Sequence, residues 1–212
     1  MAKTFIAVPC MDSVPAQFAH SLATLARYDD TVVAFQIGSL VYTSRNNLAR
    51  QALASGAQYI LWLDSDMVFP PDLLQRLMRH MDDPSVDFVT AVYYRRSMPY
   101  TPVLYNKMEM VDDVCEFEET LDLPDHPFEV AGCGFGGVLM RMNVAIDVAA
   151  KNDGRMFDPL IGAGEDLSFC WRARKCGHKI LCDPSIQMGH VGHTIITKEF
   201  SDAFRYERGE KK

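Results

Sequence analysis

Two aspartates end one of the most apolar stretches of the chain. Residues 59–74 read YILWLDSDMVFPPDLL, so that Asp64 and Asp66 directly follow an unbroken run of Ile, Leu, Trp and Leu. Burying an unpaired carboxylate costs several kcal/mol, a large share of the stability of a domain. We therefore expect a cation beside this pair. Carboxylate oxygens suit Mg²⁺ or Mn²⁺, whose remaining positions go to water and phosphate. The plainer alternative is a strand-to-helix turn capped by an aspartate.

Two more clusters carry residues that could do chemistry. In GAGEDLSF, Glu165 and Asp166 follow two glycines at a predicted helix start. There they either stabilise the helix dipole or present a general base. In QMGHVGHT, His190 and His193 follow the last predicted strand and are candidate metal ligands.

The six cysteines show no CxxC pair. They are interpreted as reduced thiols of a cytoplasmic protein. The spacing of Cys176, His178 and Cys182 matches no standard zinc site.

The elements that must position these residues alternate between strand and helix up to residue 96. Apolar, β-branched runs predict strands at 4–10, 31–38, 58–63 and 87–96, and helical patterns occupy 14–27, 43–56 and a segment from about residue 70. Ser44 is the expected N-cap of the second helix, and Gly56 its C-terminal stop. This order predicts an α/β fold with a mostly parallel sheet. Ligands of such sheets bind at the carboxyl ends of the strands.

The second half of the chain is more irregular. After residue 97 we expect a hairpin or loops over one edge, then a glycine-rich strand at 130–142, and finally a loop, a helix and a strand within 157–180. We predict one domain over residues 1–200 and a polar tail over 201–212.

Bulk composition excludes some functions. The 212 residues are 48% hydrophobic with a net charge of −7, which argues against general nucleic-acid binding. The sequence contains neither a signal-peptide-like apolar region nor a run long enough to span a bilayer.

Four motifs in order give a more specific indication. LDSDM, GCGFGGVLMRM, GEDLSFCWRARKCGHKI and GHVGH resemble those of nucleotide-diphospho-sugar glycosyltransferases of GT-A fold, above all the small family-2-like enzymes of bacteria and their phages. The resemblance runs from IAVPCMD to about residue 194. It implies a Rossmann-like central sheet flanked by helices, a nucleoside-diphosphate sugar donor with uridine as the default base, and a divalent cation.

The resemblance also implies roles for individual residues on the donor side. The end of the first strand would contact the base, and Asp64 would hold the ribose or a water of the ion. Asp66 would bind the ion directly, with His190 the first additional ligand and His193 the reserve. The implied nucleotide-sugar-binding set is Pro9, Cys10, Met11, Arg45, Asp64, Ser65 and Asp66. For Arg45 and its neighbour Asn46, helix capping is the competing explanation.

Arg95 and Arg96 could reach the diphosphate, although an exposed pair at a strand end needs no function. On the acceptor side the implied residues are Gly132, Cys133, Gly134 and Phe135. Tight packing is an equal explanation for those glycines.

The implied reaction is an inverting displacement in which Asp166 is the general base and Glu165 orients the acceptor or holds the loop. A retaining enzyme, or a non-catalytic nucleotide-sugar-binding module, remains an alternative. A sugar nucleotidyltransferase does not fit, because AVPCMDSVP contains no glycine or basic residue. The hydroxyl acceptor stays open between a glycan, a lipid-linked sugar, a protein and a modified nucleobase, with DNA disfavoured by the acidic balance.

Overall fold

A computed structural model describes residues 3–192 and 195–207. His193, the reserve metal ligand, lies outside the described residues.

Among these described residues, the strands form one large and two small sheets. They are β1 Thr4–Cys10, β2 Thr31–Ile37, β3 Tyr59–Trp62, β4 Met67–Val68, β5 Phe88–Val92, β6 Leu104–Val111, β7 Val114–Glu119, β8 Phe128–Val130, β9 Gly132–Cys133, β10 Val138–Arg141, β11 Ile180–Gln187, β12 Gly189–Val191 and β13 Ile195–Ile196. The helices are α1 Ala16–Thr24, α2 Val41–Ala54, α3 Leu73–Arg79, α4 Met142–Lys151, α5 Glu165–Lys175 and α6 Lys198–Glu207, with a 3₁₀ turn at His80–Asp82.

The central sheet has seven strands in the order β2-β1-β3-β10-β5-β11-β8. β2, β1, β3, β5 and β11 share one direction, whereas β10 and β8 run antiparallel to their neighbours. The predicted mostly parallel sheet is therefore confirmed. One apolar cluster packs α2, α4 and α5 against one face, and a second packs α1 and α3 against the other.

Helix α2 begins earlier than predicted. It starts at Val41, and the backbone N–H of Ser44 donates to the Leu40 carbonyl at 3.1 Å. Because that bond is already helical, Ser44 lies inside the first turn and is not the N-cap. Gly56, with a φ of 72°, follows the helix in the left-handed conformation that the predicted stop requires.

The C-terminal segment is not a tail from residue 201 as predicted, because α6 continues to Glu207. The Ser201 hydroxyl donates to the Tyr100 carbonyl at 2.8 Å, and the Tyr100 ring contacts Phe200 and Phe204 edge to face. Arg205 donates to the Leu121 carbonyl at 2.8 Å. These contacts fix the helix to the loop before β6 and the segment after β7.

The two small sheets frame the carboxyl edge of the large one. The predicted hairpin is β6–β7, which turns at Asp112 and Asp113, and β9 pairs with its β6 strand. In the other small sheet β4, directly after Asp66, pairs with β12, so that His190 lies opposite Met67. Within the described ranges, no helix is long and apolar enough to cross a membrane.

Candidate active site

A cleft of about 370 Å³ opens at the carboxyl ends of β1 and β3. All seven residues predicted to bind the nucleotide sugar line it, as do Glu165, Arg96 and His190. Its lining also contains Gly38, Ser39 and Val41, which sequence reasoning missed. These follow β2, the parallel neighbour of β1, and strand adjacency was the signal that could have identified them.

Arg45 forms the floor of this cleft and is only 2% exposed. Its Nη2 donates to Asp64 Oδ1 at 2.7 Å, and its Nε donates to Glu165 Oε1 at 3.3 Å. Burial alone would lower the pKa of Arg45, but the neighbouring carboxylates outweigh it and the pKa is raised. The cation expected beside Asp64 is thus a buried arginine of α2. Nη2 and Nε of Arg45 are thus engaged, whereas Nη1 has no hydrogen-bond partner among the described residues, and the contact of Arg45 with the nucleotide stays a prediction.

Asp66 and His190 form the second charged pair of the cleft. His190 Nδ1–H donates to the Tyr94 carbonyl at 2.9 Å, which turns Nε2 toward Asp66 Oδ2 at 3.3 Å. Arg96 Nη1 donates to the same oxygen at 2.7 Å. Burial raises the pKa of Asp66, but the hydrogen bond and charge of His190, together with Arg96, outweigh it and lower that pKa. Burial alone would lower the pKa of His190, but the hydrogen bond and charge of Asp66 outweigh it, so that this pKa is raised above its ordinary value.

These contacts define which residues fit a divalent cation. Arg96 Nη1 and His190 Nε2 both lie beside one Asp66 oxygen, so positive charge is favoured at this point. The donor set combines a carboxylate with an imidazole nitrogen, and the Tyr94 carbonyl orients the ring. Among the described residues, no group of three or more His, Cys, Asp or Glu side chains could hold a metal. Asp66 and His190 therefore fit an ion completed by water and substrate oxygens. Asp64, whose Oδ1 accepts from Arg45 at 2.7 Å, stays the predicted holder of the ribose or of a water of the ion.

The predicted catalytic pair begins α5. Glu165 lines the cleft, and half-buried Asp166 accepts the Leu167 N–H on its Oδ1 at 2.8 Å. Burial, and next the charge of Glu165, raise the pKa of Asp166 to about 6, against the opposing effect of Arg45. A carboxylate with this pKa is ionised at neutral pH and is a stronger base than an ordinary aspartate.

The glycine-rich segment lies in the core. Gly132, Cys133, Gly134 and Phe135 are all buried. A Cβ on Gly132 would lie 3.0 Å from the Leu167 side chain, and one on Gly134 would lie 2.8 Å from Val103. The predicted acceptor-side role is not supported for these side chains, and close packing accounts for the glycines.

Two neighbours of the predicted residues have structural partners. Arg95 pairs with Glu119 at 2.7 Å and so does not reach the cleft, whereas Arg96 does. Asn46 binds the segment before α5, donating to Asp158 Oδ2 at 2.9 Å and accepting from the Phe157 N–H at 3.1 Å.

This sheet order, with acidic residues at the carboxyl ends of its strands, is that of a GT-A protein. A197 from STIV superposes with a TM-score of 0.67 at 18% identity, over 91% of this chain and 86% of that one. GalNAc-T7, solved with UDP, GalNAc and Mn²⁺, superposes with a TM-score of 0.62 at 10% identity, over 90% of this chain and 44% of that one. No curated protein sequence matches the chain.

The model of glycosyl transferase family 2 matches residues 20–147. The chain belongs to glycosyl transferase family 2, and it is a nucleotide-sugar glycosyltransferase. The predicted fold and enzyme class are therefore confirmed.

Proposed function

We propose that the protein transfers a sugar from a nucleoside-diphosphate sugar, with uridine as the expected base, to an acceptor hydroxyl in a reaction that requires Mn²⁺ or Mg²⁺. The observation that carries this proposal is the Asp66–His190 pair in a cleft that Glu165 also lines. The UDP and Mn²⁺ in the GalNAc-T7 structure support the choice of donor base and ion.

Different residues along the cleft have different roles in the proposed binding of the donor. Pro9, Cys10 and Met11 line the end where the base would lie, and Asp64, which also lines the cleft, would hold the ribose. Asp66 and His190 would hold the divalent cation, which when bound neutralises charge on the departing diphosphate. The exposed Arg96 guanidinium adds positive charge beside them.

The proposed chemistry is a single displacement with inversion. The acceptor oxygen attacks the anomeric carbon, the bond from that carbon to the diphosphate oxygen breaks, and the acceptor proton passes to the Asp166 carboxylate. Glu165 orients the acceptor or holds the loop. Proton NMR of the first-formed product anomer tests inversion, since a retained configuration would remove the role of Asp166 as a base.

Replacement of Asp166 by Asn tests the assignment of the base. A positioned base contributes about 100- to 10,000-fold, so turnover should fall within that range, while the Kd of the donor stays within about twofold because the substitution is not on the donor side. Donors are first identified by thermal shift with nucleotide sugars, with and without Mn²⁺. Asp147→Asn, on the exposed side of α4, is the matched control. Full turnover by Asp166→Asn would remove the base from the proposal.

A further inference from the structure

We propose that Arg45 is a positioning residue that couples the donor side of the cleft to the first turn of α5, which carries Glu165 and Asp166. The reason is that one guanidinium holds both Asp64 and Glu165. The coupling rests on the proposed function for its effect on catalysis. It predicts that nucleotide binding at Asp64 orders the segment that carries the base.

The contacts of Arg45 leave it little freedom. Its third nitrogen, Nη1, is buried without a hydrogen-bond partner among the described residues. The guanidinium carbon lies 5.3 to 5.9 Å from the ring centres of Trp62, Phe135 and Phe157. Little of this side chain is open to water, because Arg45 is only 2% exposed. Displacing one carboxylate would therefore leave another buried N–H unpaired, which is costly.

The two carboxylates belong to separate parts of the fold. Asp64 follows β3, and Glu165 begins α5, 101 positions later in the numbering of the chain. Asn46, the next residue of α2, accepts the N–H groups of Met156 and Phe157 at 3.2 and 3.1 Å. Helix α2 thus holds the segment from Met156 to Glu165 at both of its ends. The position of the first turn of α5 therefore depends on α2, which also carries Arg45, the partner of Asp64.

This arrangement connects the donor-binding side of the cleft with the proposed general base, Asp166. A ribose bound to Asp64 fixes that carboxylate, and a fixed Asp64 restrains Arg45 and, through it, Glu165. Asp166 is the next residue, so its orientation follows. The Arg45 charge also opposes the burial of Asp166 and favours its ionised form.

Hydrogen exchange tests the coupling without requiring catalysis. The probes are nucleoside diphosphates with Mn²⁺, beginning with UDP and continuing through the other four common bases, added to the native protein and to Arg45→Lys. Lysine keeps the charge but lacks the planar fork that reaches two carboxylates. We expect the nucleotide to slow exchange of the amides of residues 159–168 in the native protein, and not in Arg45→Lys. Slowing near Asp64 should persist in both.

Arg141→Lys changes a half-buried arginine at the other edge of the sheet, is the control for the same substitution, and should respond like the native protein. Equal slowing of residues 159–168 in Arg45→Lys would overturn the coupling. If Arg45→Lys fails to fold, Glu165→Gln provides the same comparison with Arg45 in place. If no nucleoside diphosphate binds the native protein, the proposed function fails and the coupling fails with it.

Transfer kinetics separate positioning from binding. Misplacement of a catalytic group by about 1 Å costs about 100-fold, so Arg45→Lys should lower kcat by that order while the Kd of the donor changes less than about threefold. Because both act through one contact, Arg45→Lys combined with Glu165→Gln should lose no more than the worse single variant. Losses that multiply, in a native protein that does transfer sugar, would refute the coupling and leave the proposed function intact.

Discussion

Opposite edges of the same sheet carry two charged clusters that are built differently. At the carboxyl edge, Arg45, Asp66 and His190 belong to the cleft. At the amino edge, His178 lies between two carboxylates, with Nδ1 3.0 Å from Asp87 and Nε2 3.0 Å from Asp147. We call this second group, together with Arg141, the amino-edge cluster.

Only the amino-edge cluster satisfies its own groups. All three Arg141 nitrogens donate, to the Val86 carbonyl, the Tyr59 hydroxyl and the Met81 carbonyl at 2.7 to 3.1 Å. In the cleft, Arg45 Nη1 has no partner within the described part of the chain, and Arg96 and His190 share one Asp66 oxygen. Unsatisfied groups are expected where a ligand completes the site. The difference assigns the amino edge to stability and the carboxyl edge to function.

The largest expected effect comes from making the same substitution at both edges. Asp66→Asn should lower kcat/KM about a thousandfold and abolish Mn²⁺-dependent nucleotide binding, since the several kcal/mol supplied by a bound ion correspond to such a factor. Asp87→Asn should leave both within about twofold. Calorimetric titration with UDP and Mn²⁺, followed by steady-state transfer, measures the contrast. Equal losses in the two variants would abolish the distinction between the edges.

A histidine comparison tests the stability side. His178 is only 9% exposed, and its replacement by Ala leaves two carboxylates without their shared partner. His178→Ala should therefore lower the free energy of unfolding by about 2 kcal/mol. The folded variant should keep its kcat within about twofold. His190→Ala should show the reverse, a small change in stability and a loss of metal-dependent turnover. Urea denaturation and transfer assays on both variants decide the matter, and a large activity loss in His178→Ala would contradict the assignment.

The cleft should also contain destabilising charge. Because the pKa of Asp166 is raised from 3.8 to about 6, the folded protein binds this proton more tightly than the unfolded chain does. The ionised carboxylate therefore weakens the fold, and the cost grows as the pH rises from about 4 to 6. Asp166→Asn should add about 1 to 3 kcal/mol to the unfolding free energy at pH 7, and nothing at pH 4. Urea denaturation at both pH values measures this. A variant that is less stable than the native protein at pH 7 would show that the ionised Asp166 carboxylate does not destabilise the fold.

Sequence reasoning reached those features of the site that depend on local order. A buried strand ending in acids predicted Asp64 and Asp66 at the carboxyl edge, and the glycine before Glu165 predicted the start of α5. It could not assign partners, because Arg45 meets Glu165 across 120 positions of sequence. It left two explanations open for residues 132–135, since a glycine that admits a ligand and one that admits a neighbouring side chain look the same before the packing is known. His178 gave no usable signal, because its two carboxylates lie far away in the sequence.

The smallest effect concerns a gradient within the amino-edge cluster itself. The Asp147 side chain is 50% exposed and that of Asp87 is 24% exposed, although both lie 3.0 Å from His178. Because solvent screens the more exposed pair, Asp147→Asn should cost about 0.5 kcal/mol or less, and Asp87→Asn should cost more. The cost of Asp147→Asn should also shrink in high salt. Urea denaturation of both variants at low and high salt measures the gradient. Equal costs would mean that burial does not set the strength of these pairs, and the contrast between the two edges would then rest on catalysis alone.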